Sequence, residues 1–470
     1  MLLAVKRERC CRRSPFLTAE CAVLAWLCAV GMAHAQSGQP AAGNSDNIAL
    51  ATTATAAITL DEAIRRAEAS DPAYASAKAD SGVAALDRSI ARAGLLPSVI
   101  DHNQALYTQP NGLVNQAGQG AAAQPAPRFI ANNAVREYAS QATINDTLGL
   151  AGVAQMRRAD GAAAQAAAEF EIARRGLVAG VTTLFYSALA ANHKLAVAER
   201  ALAEAQDFSR LTNERELARE AAHADVVKAQ IEEQQRSRDL EDARVAAEKA
   251  RLELGILLFP DPRTPYSLVA AANVPPLATR EEIEQAAAKN NPELRSALAA
   301  LSVSNADVLA ARAAYLPDLG LNVTYGIDAP QVATNGPDGV RNLGYSASVT
   351  VDIPVWDWLA TEHKVKQSEI RRNAALTALS ATQRRLIAAL DEAYAEAAAA
   401  RDEMASLDQS ASMAAESLRL IKLRYQGGEA TVLEVVDAQN TEVQAEDARE
   451  DGRVRYEAAR AALQTLTGTM

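Results

Sequence analysis

Large ring side chains are scarce in this 470-residue sequence, where Phe, Trp and Tyr together make up 4%. That shortage disfavours a globular core of bulky groups, and the abundance of alanine suits long, closely packed helices and an elongated fold. Cysteine is missing after Cys28, since Cys10, Cys11, Cys21 and Cys28 are the only four. Beyond residue 35 there is neither thiol nor disulfide, and packing alone must hold the chain. A basic excess is also missing: the net charge is -11 and the isoelectric point near 5.2. Nucleic acid is excluded as a partner, because neutralising phosphates needs a basic face. No apolar stretch between Gln36 and Met470 is long enough for a membrane helix, so any crossing of a bilayer there must be made by strands. No catalytic nucleophile, phosphate loop or zinc motif is present. His102, His193, His223 and His363 share no metal-ligand spacing, and Gly427-Gly428 is too short to cradle phosphate. Neither catalysis, nor a cofactor, nor a metal is expected.

The first 35 residues are predicted to be a secretion signal. They combine a basic start (Lys6, Arg7, Arg9, Arg12, Arg13), an apolar run from Ala22 to Ala33 and the A-x-A site Ala33-His34-Ala35. Cys28 follows Trp26-Leu27 and lacks the small residue that precedes a lipid-attached cysteine. Residues 36–57 have no periodicity and are predicted to be a flexible lead-in, with structure beginning near Ile58.

The rest is duplicated. Pro292 lies 220 residues after Pro72, and Pro317 lies 220 after Pro97. The triplet Ala91-Arg92-Ala93 recurs at that spacing as Ala311-Arg312-Ala313, and Leu96-Pro97 as Leu316-Pro317. Farther on the spacing becomes 209, which pairs Arg215 with Arg424, Glu220-Ala221 with Glu429-Ala430, and Ala229-Gln230 with Ala438-Gln439. Two sustained offsets mark two copies of one unit, 58–277 and 278–470. Each copy is predicted to run as a helix, a hairpin of strands, and two very long helices.

The strands announce themselves by a period of two. Leu319, Leu321, Val323 and Tyr325 alternate with Gly320, Asn322, Thr324 and Gly326. Tyr345, Ala347, Val349, Val351 and Ile353 alternate with Ser346, Ser348, Thr350 and Asp352. The first copy repeats the pattern more faintly, after Pro97 and over 138–145. A tilted transmembrane strand and a strand of a water-soluble sandwich both fit this pattern. The helices tip the balance. Leu376, Gln383, Leu390, Ala397, Met404, Ala411 and Leu418 step by seven, as do Leu379, Leu386, Ala393, Ala400, Leu407, Ala414 and Ile421. This is the seam of a left-handed coiled coil. A matching seam runs through Leu177, Leu184, Ala191, Ala198 and Ala205. A helix over 361–425 would measure roughly 100 Å at ~1.5 Å per residue, far more than a bilayer is thick.

The stretch from Leu423 to Gln439, LRYQGGEATVLEVVDAQ, is similar to a pattern of the TolC-like outer-membrane factor family: an aromatic, a glycine, a Ser or Thr, an apolar run with acids, then Ala-Gln. The signal, the duplication and the paired strands resemble that family over nearly the whole mature chain. The resemblance implies a mainly α fold with β, in which long antiparallel helical hairpins make a coiled-coil tunnel. Four strands per chain would join a trimeric twelve-stranded outer-membrane β-barrel, with the tunnel extending into the periplasm. It implies a homotrimer in outer-membrane lipid, served by a periplasmic adaptor (membrane fusion protein) and an inner-membrane pump, and used for efflux or type I secretion. Matched residue by residue, it places a periplasmic aperture at Glu434 and Asp437, with Tyr425 as a lock residue and Asp225 as an acid on the neighbouring hairpin. Adaptor docking falls at the hairpin tips, Arg219, Ala221, Ala222, Gly427 and Gly428. Two departures stand out. Ala430 occupies a place where some members have a basic residue, which leaves Arg424 and Arg215 as the alternatives to complete the lock with Tyr425. The first copy has Arg219 where the second has Gly428, so its turn is expected to use Ala221-Ala222-His223. Trp356-Asp357-Trp358 is expected to anchor the barrel at the membrane boundary. The rival reading is an exported coiled-coil scaffold or adhesin with a soluble β-domain.

Overall fold

The computed structural model describes residues 56–107, 136–269, 277–329, 332–336 and 339–468. The expected secretion signal and the lead-in up to residue 55 lie outside them.

Both copies start with a helix that a proline cuts in two. In the first, α1 (Leu60–Ser70) stops at Asp71 and α2 (Pro72–Ala93) begins one residue later. Pro72 cannot donate to a continuing helix and suits the first helical position, while the Asp71 side chain accepts from Tyr74 N at 2.6 Å. The second copy repeats the break: Asn291 caps α6 (Pro292–Ala313) after α5 (Arg280–Asn290). The single opening helix expected of each copy is therefore two.

Two strands follow in each copy, β2 (Ser98–Tyr107) and β3 (Arg136–Leu148), then β5 (Asp318–Ala329) and β6 (Leu343–Asp352). They form one antiparallel sheet in the order β2-β3-β5-β6, so β2 and β6 are its edges. Register settles the faces. Val323 opposes Ile144 and Ala347, Tyr325 opposes Ala142 and Tyr345, and Leu321 opposes Val349. The other face is polar: Asn322 Nδ2 donates to Asn145 Oδ1 at 2.5 Å, and the hydroxyls of Thr143 and Thr324 lie 3.3 Å apart. The hydrophobic face is continuous across β5 and β6 and open to the surroundings. Toward β2 it is interrupted by Asp101, Asn103 and Ser140, which bond to one another.

The long helices are α3 (Leu150–Leu217, 68 residues) and α7 (Ala360–Gln426, 67 residues). Their followers, α4 (His223–Leu258) and α8 (Val432–Thr467), have 36 residues each, about half the length of the helices they follow. Helix α4 ends at Phe259-Pro260, where proline blocks continuation. Each long helix is thus accompanied by two shorter ones, α2 and α4 along α3, α6 and α8 along α7.

The duplication reappears in the packing. Ala63, Ala67, Val181, Ala188 and Leu254 belong to one buried cluster, and their counterparts Ile283, Ala287, Leu390, Ala397 and Leu463 to a second. The first cluster is closed by a short parallel pair, β1 (Ala56–Ile58) with β4 (Tyr266–Leu268). Among the described residues the first strand begins at Ala56, two residues before Ile58. The heptad seam of α7 is buried at Leu386, Leu390, Ala397, Ala400, Ala411, Ala414 and Leu418, whereas its first member, Leu376, is exposed.

The strand-to-helix junctions differ. In the first copy Gly149 alone separates β3 from α3, and the Asp318 carboxylate fills the space where a side chain would go. In the second, Ile353–Leu359 intervene. Trp358 (φ 57°) and Leu359 (φ 64°) are both left-handed, and the Asp357 carboxylate accepts from Thr361 N at 2.7 Å. Trp356 and Trp358 meet edge to face at 5.9 Å, with most of their surface exposed.

Candidate functional site: the hairpin tips

The residues matched to the aperture and to the tips gather at the far ends of the two helical hairpins, where α3 turns into α4 and α7 into α8. Both turns close in the same way. In the second, Gly428 is left-handed (φ 80°), Gly428 N donates to Tyr425 O at 3.0 Å and Glu429 N to Arg424 O at 2.9 Å. This pair of bonds is the Schellman helix stop. In the first, Arg219 is left-handed (φ 63°), with Arg219 N donating to Glu216 O at 2.8 Å and Glu220 N to Arg215 O at 2.8 Å. The expectation that Ala221-Ala222-His223 would replace the missing glycine is corrected: Arg219 adopts the glycine conformation itself, at a steric cost of about 1 kcal/mol. Ala221 and Ala222 only link that stop to α4, with Ala222 as an N-cap that offers no side-chain bond.

Starting α8 is better supported. Thr431 Oγ1 accepts from Glu434 N at 3.3 Å, and the Glu434 carboxylate accepts from Thr431 N at 3.1 Å, a complete capping box. Glu434 therefore works for the helix as well as carrying charge near the tip. Asp437 is exposed one turn on. Asp225, half-buried in the first turn of α4, is the counterpart of Glu434 in the duplication.

Tyr425 is buried and does bind the two hairpins together. Its ring meets Phe208 edge to face at 5.0 Å, and the Arg215 guanidinium lies over its face at 4.9 Å. Arg215 also donates to the Tyr425 carbonyl at 2.5 Å and pairs with Glu220 at 3.5 Å. The Tyr425 hydroxyl lies 3.3 Å from Thr212 Oγ1. Val432, Val435, Val436 and Ala229 complete the small core around it. The aromatic is thus clasped by α3, through Phe208, Thr212 and Arg215, and Asp225 is not among its partners. Arg424, the counterpart of Arg215, stays local and donates to Glu429 O at 3.0 Å. Nothing periodic in the sequence distinguishes the arginine that reaches across from the one that does not.

Above the clasp, acids line the α3–α8 seam. Glu204 pairs with Lys422 at 2.5 Å and Glu446 with Arg200 at 2.5 Å. Glu442 is half-buried, and burial together with the Glu204 and Glu446 carboxylates raises its pKa. Asp447 is raised as well, first by burial.

With this geometry in hand, residues 283–469 match the outer membrane efflux protein family. That stretch resembles an outer membrane efflux protein domain. OprJ, an outer membrane protein of Pseudomonas aeruginosa, is 27% identical over 295 residues, 61% of this chain and 60% of OprJ. CyaE of Bordetella pertussis is 27% identical over 255 residues, 53% of this chain and 52% of CyaE. The chain therefore spans less than two thirds of the curated relatives it matches. Among solved structures, the CmeC outer membrane channel of Campylobacter jejuni superposes with a TM-score of 0.70 at 15% identity, covering 87% of this chain and 85% of CmeC. Residues 283–469 and the copy preceding them together carry the TolC-like fold.

Proposed function

We propose that three copies of this chain form an outer-membrane exit duct, through which efflux substrates or secreted proteins leave without chemical change. An inner-membrane pump supplies them, and a periplasmic adaptor joins the two at the hairpin tips. The observation that carries this reading is the four-stranded sheet with one polar face and one face that is apolar across β5 and β6, whose edge strands β2 and β6 are unpaired. Four strands cannot close a barrel, and open edges are not tolerated in lipid, so strands from further copies are required. Three sheets placed edge to edge close a twelve-stranded ring, with the polar face lining the lumen.

Glu434 and Asp437, repeated around the axis, concentrate negative potential at the periplasmic mouth and favour cations there. The Tyr425 clasp keeps the two hairpins of each chain together in the narrow state. The likeness to OprJ and CmeC supports placement in the outer membrane.

The test is direct. Extracted from membranes in detergent, the chain should run as a heat-modifiable trimer and conduct ions in planar bilayers. A monomer that stays soluble after lysis and forms no conducting pores would defeat the proposal in favour of an exported coiled-coil scaffold.

A further inference from the structure

The duplication leaves a trough between two of its equivalent helices. Helices α4 and α8 lie side by side on α3 and hardly touch one another, so α3 forms the floor and α4 and α8 the walls. The trough has a volume of about 580 Å³, the size of a site for a small organic molecule. Small apolar groups line the bottom: Ala191, Ala198 and Ala201 of α3, Ala243 and Ala246 of α4, and Val443 of α8. Larger side chains at the alanines would fill it.

Charge is unevenly matched along this trough. Four aspartates face two cations, and both cations are already engaged. Lys194 pairs with Asp451 at 2.7 Å. Arg236 is buried, pairs with Glu232 at 2.8 Å and with Asp239 at 3.3 Å, and donates to Asn440 Oδ1 of α8. That leaves Asp242 on the α4 wall and Asp447 on the α8 wall, which have neither an ion pair nor a hydrogen bond among the described residues. Asp447 is half-buried, and burial raises its pKa; Lys194 and Arg236 offset this in part, while Asp451 and Glu446 add to it. A carboxylate withdrawn from water without a partner costs stability, and an arriving cation recovers it.

We infer that this trough binds an amphiphilic organic cation, whose apolar body lies on the alanine floor and whose positive charge is drawn to Asp242 and Asp447. The site goes beyond the exit duct proposed above and does not depend on it. Other occupants fit less well. A bare metal ion is disfavoured, since among the described residues no three His, Cys or acidic side chains gather closely enough to hold one. An anionic ligand would meet two unpaired carboxylates. The chain's own residues 36–55 contain Asp46 and neither Lys nor Arg, so they bring no charge to match. A cation seated here would join α4 to α8, the two helices that the trough keeps apart.

The probe is ethidium, which is flat, apolar and cationic, titrated by fluorescence into the full chain purified in dodecyl maltoside. Saturable binding is expected, weakened about tenfold or more by Asp447→Asn or by Asp242→Asn, because each removes a charge-assisted contact. Ala198→Trp should abolish it by filling the floor. Asp408→Asn, which alters an exposed carboxylate of α7 outside the trough, should leave it unchanged. Both trough aspartate changes preserve side-chain shape, and circular dichroism verifies that the helices stay formed. If the folded Asp447→Asn and Asp242→Asn chains bind ethidium as tightly as the unaltered chain, the site lies elsewhere and the inference fails. If the unaltered chain shows no saturable binding, the trough is left to a polypeptide partner and the inference fails too. Neither result touches the exit-duct reading, which assembly and conductance decide.

Discussion

Arg215 shows how much one side chain can contribute to a junction of four helix ends. Its charge-assisted bond to the Tyr425 carbonyl contributes about 1.5–3 kcal/mol, and its position over the ring about 0.5–1 kcal/mol more. Arg215→Ala should therefore speed hydrogen exchange in 425–429 and 215–220 while leaving the Leu390–Ala397 region unchanged. Arg215→Lys should restore only part of the protection, since an ammonium cannot reproduce the planar fork. Equal exchange in all three proteins would show that the clasp holds nothing. Glu442 makes a pH-dependent case. Its folded pKa is raised, so its contribution to stability is fully present below the ordinary carboxylate range and is lost as pH rises through the raised value. Glu442→Gln should raise the urea midpoint at neutral pH, and the gain should vanish in acid. A gain that persisted in acid would point to packing instead. The sequence left Arg215 and Arg424 as alternatives beside Tyr425 and gave no sign of Glu204 with Glu442, because these groups are neighbours only after two distant helices have packed.

At the scale of elements, the sheet depends on glycine where strands come closest. A methyl on Gly326 would lie 2.6 Å from Gln141 Cα and closer still to the Ser140 carbonyl, so no rotamer relieves it. Gly326→Ala should cost about 1–3 kcal/mol through forced separation of β3 and β5, seen as a lower temperature of heat modification. Gly344→Ala, which meets nothing within 4 Å, should have little effect. The strands themselves were readable beforehand, because a surface with unlike faces writes a period of two into Leu319–Gly326 and Tyr345–Ile353. The heptads of α7 were readable for the same reason. The pairing of β1 with β4 was not, since three residues carry no period and their partners lie more than 200 positions apart. The breaks before Pro72 and Pro292 have a local signal, an Asp or Asn followed by Pro, because proline suits the first position of a helix and the preceding side chain caps it. The left-handed Arg219 had none, because arginine rarely adopts that conformation.

For the whole molecule, duplication sets which contacts one chain makes by itself and which, in the proposed channel, fall to another. Two copies give two strand pairs and two helical hairpins, and in the proposed channel the open edges β2 and β6 are where assembly continues. The acids at the tips gain their effect only there. Around the axis of an assembled ring, Glu434→Ala together with Asp437→Ala should reduce cation preference and weaken block by divalent ions in planar bilayers. The capping box predicts a side effect, since losing the Glu434 carboxylate frees Thr431 N and should loosen the start of α8. Asp437→Ala alone, which touches no cap, separates the electrostatic effect from the structural one. Unchanged selectivity in all these variants would remove both residues from the aperture.

The strand-to-helix junction of the second copy has an optical consequence. Trp356 and Trp358 are the only indoles after Trp26, and both sit in the seven residues between β6 and α7. Near-ultraviolet-excited emission of the described residues therefore originates almost wholly from this one junction at the base of the sheet. Transfer from micelles to phospholipid should alter its colour and its quenching by brominated acyl chains, whereas rearrangement of the distant tips leaves the signal dark to change.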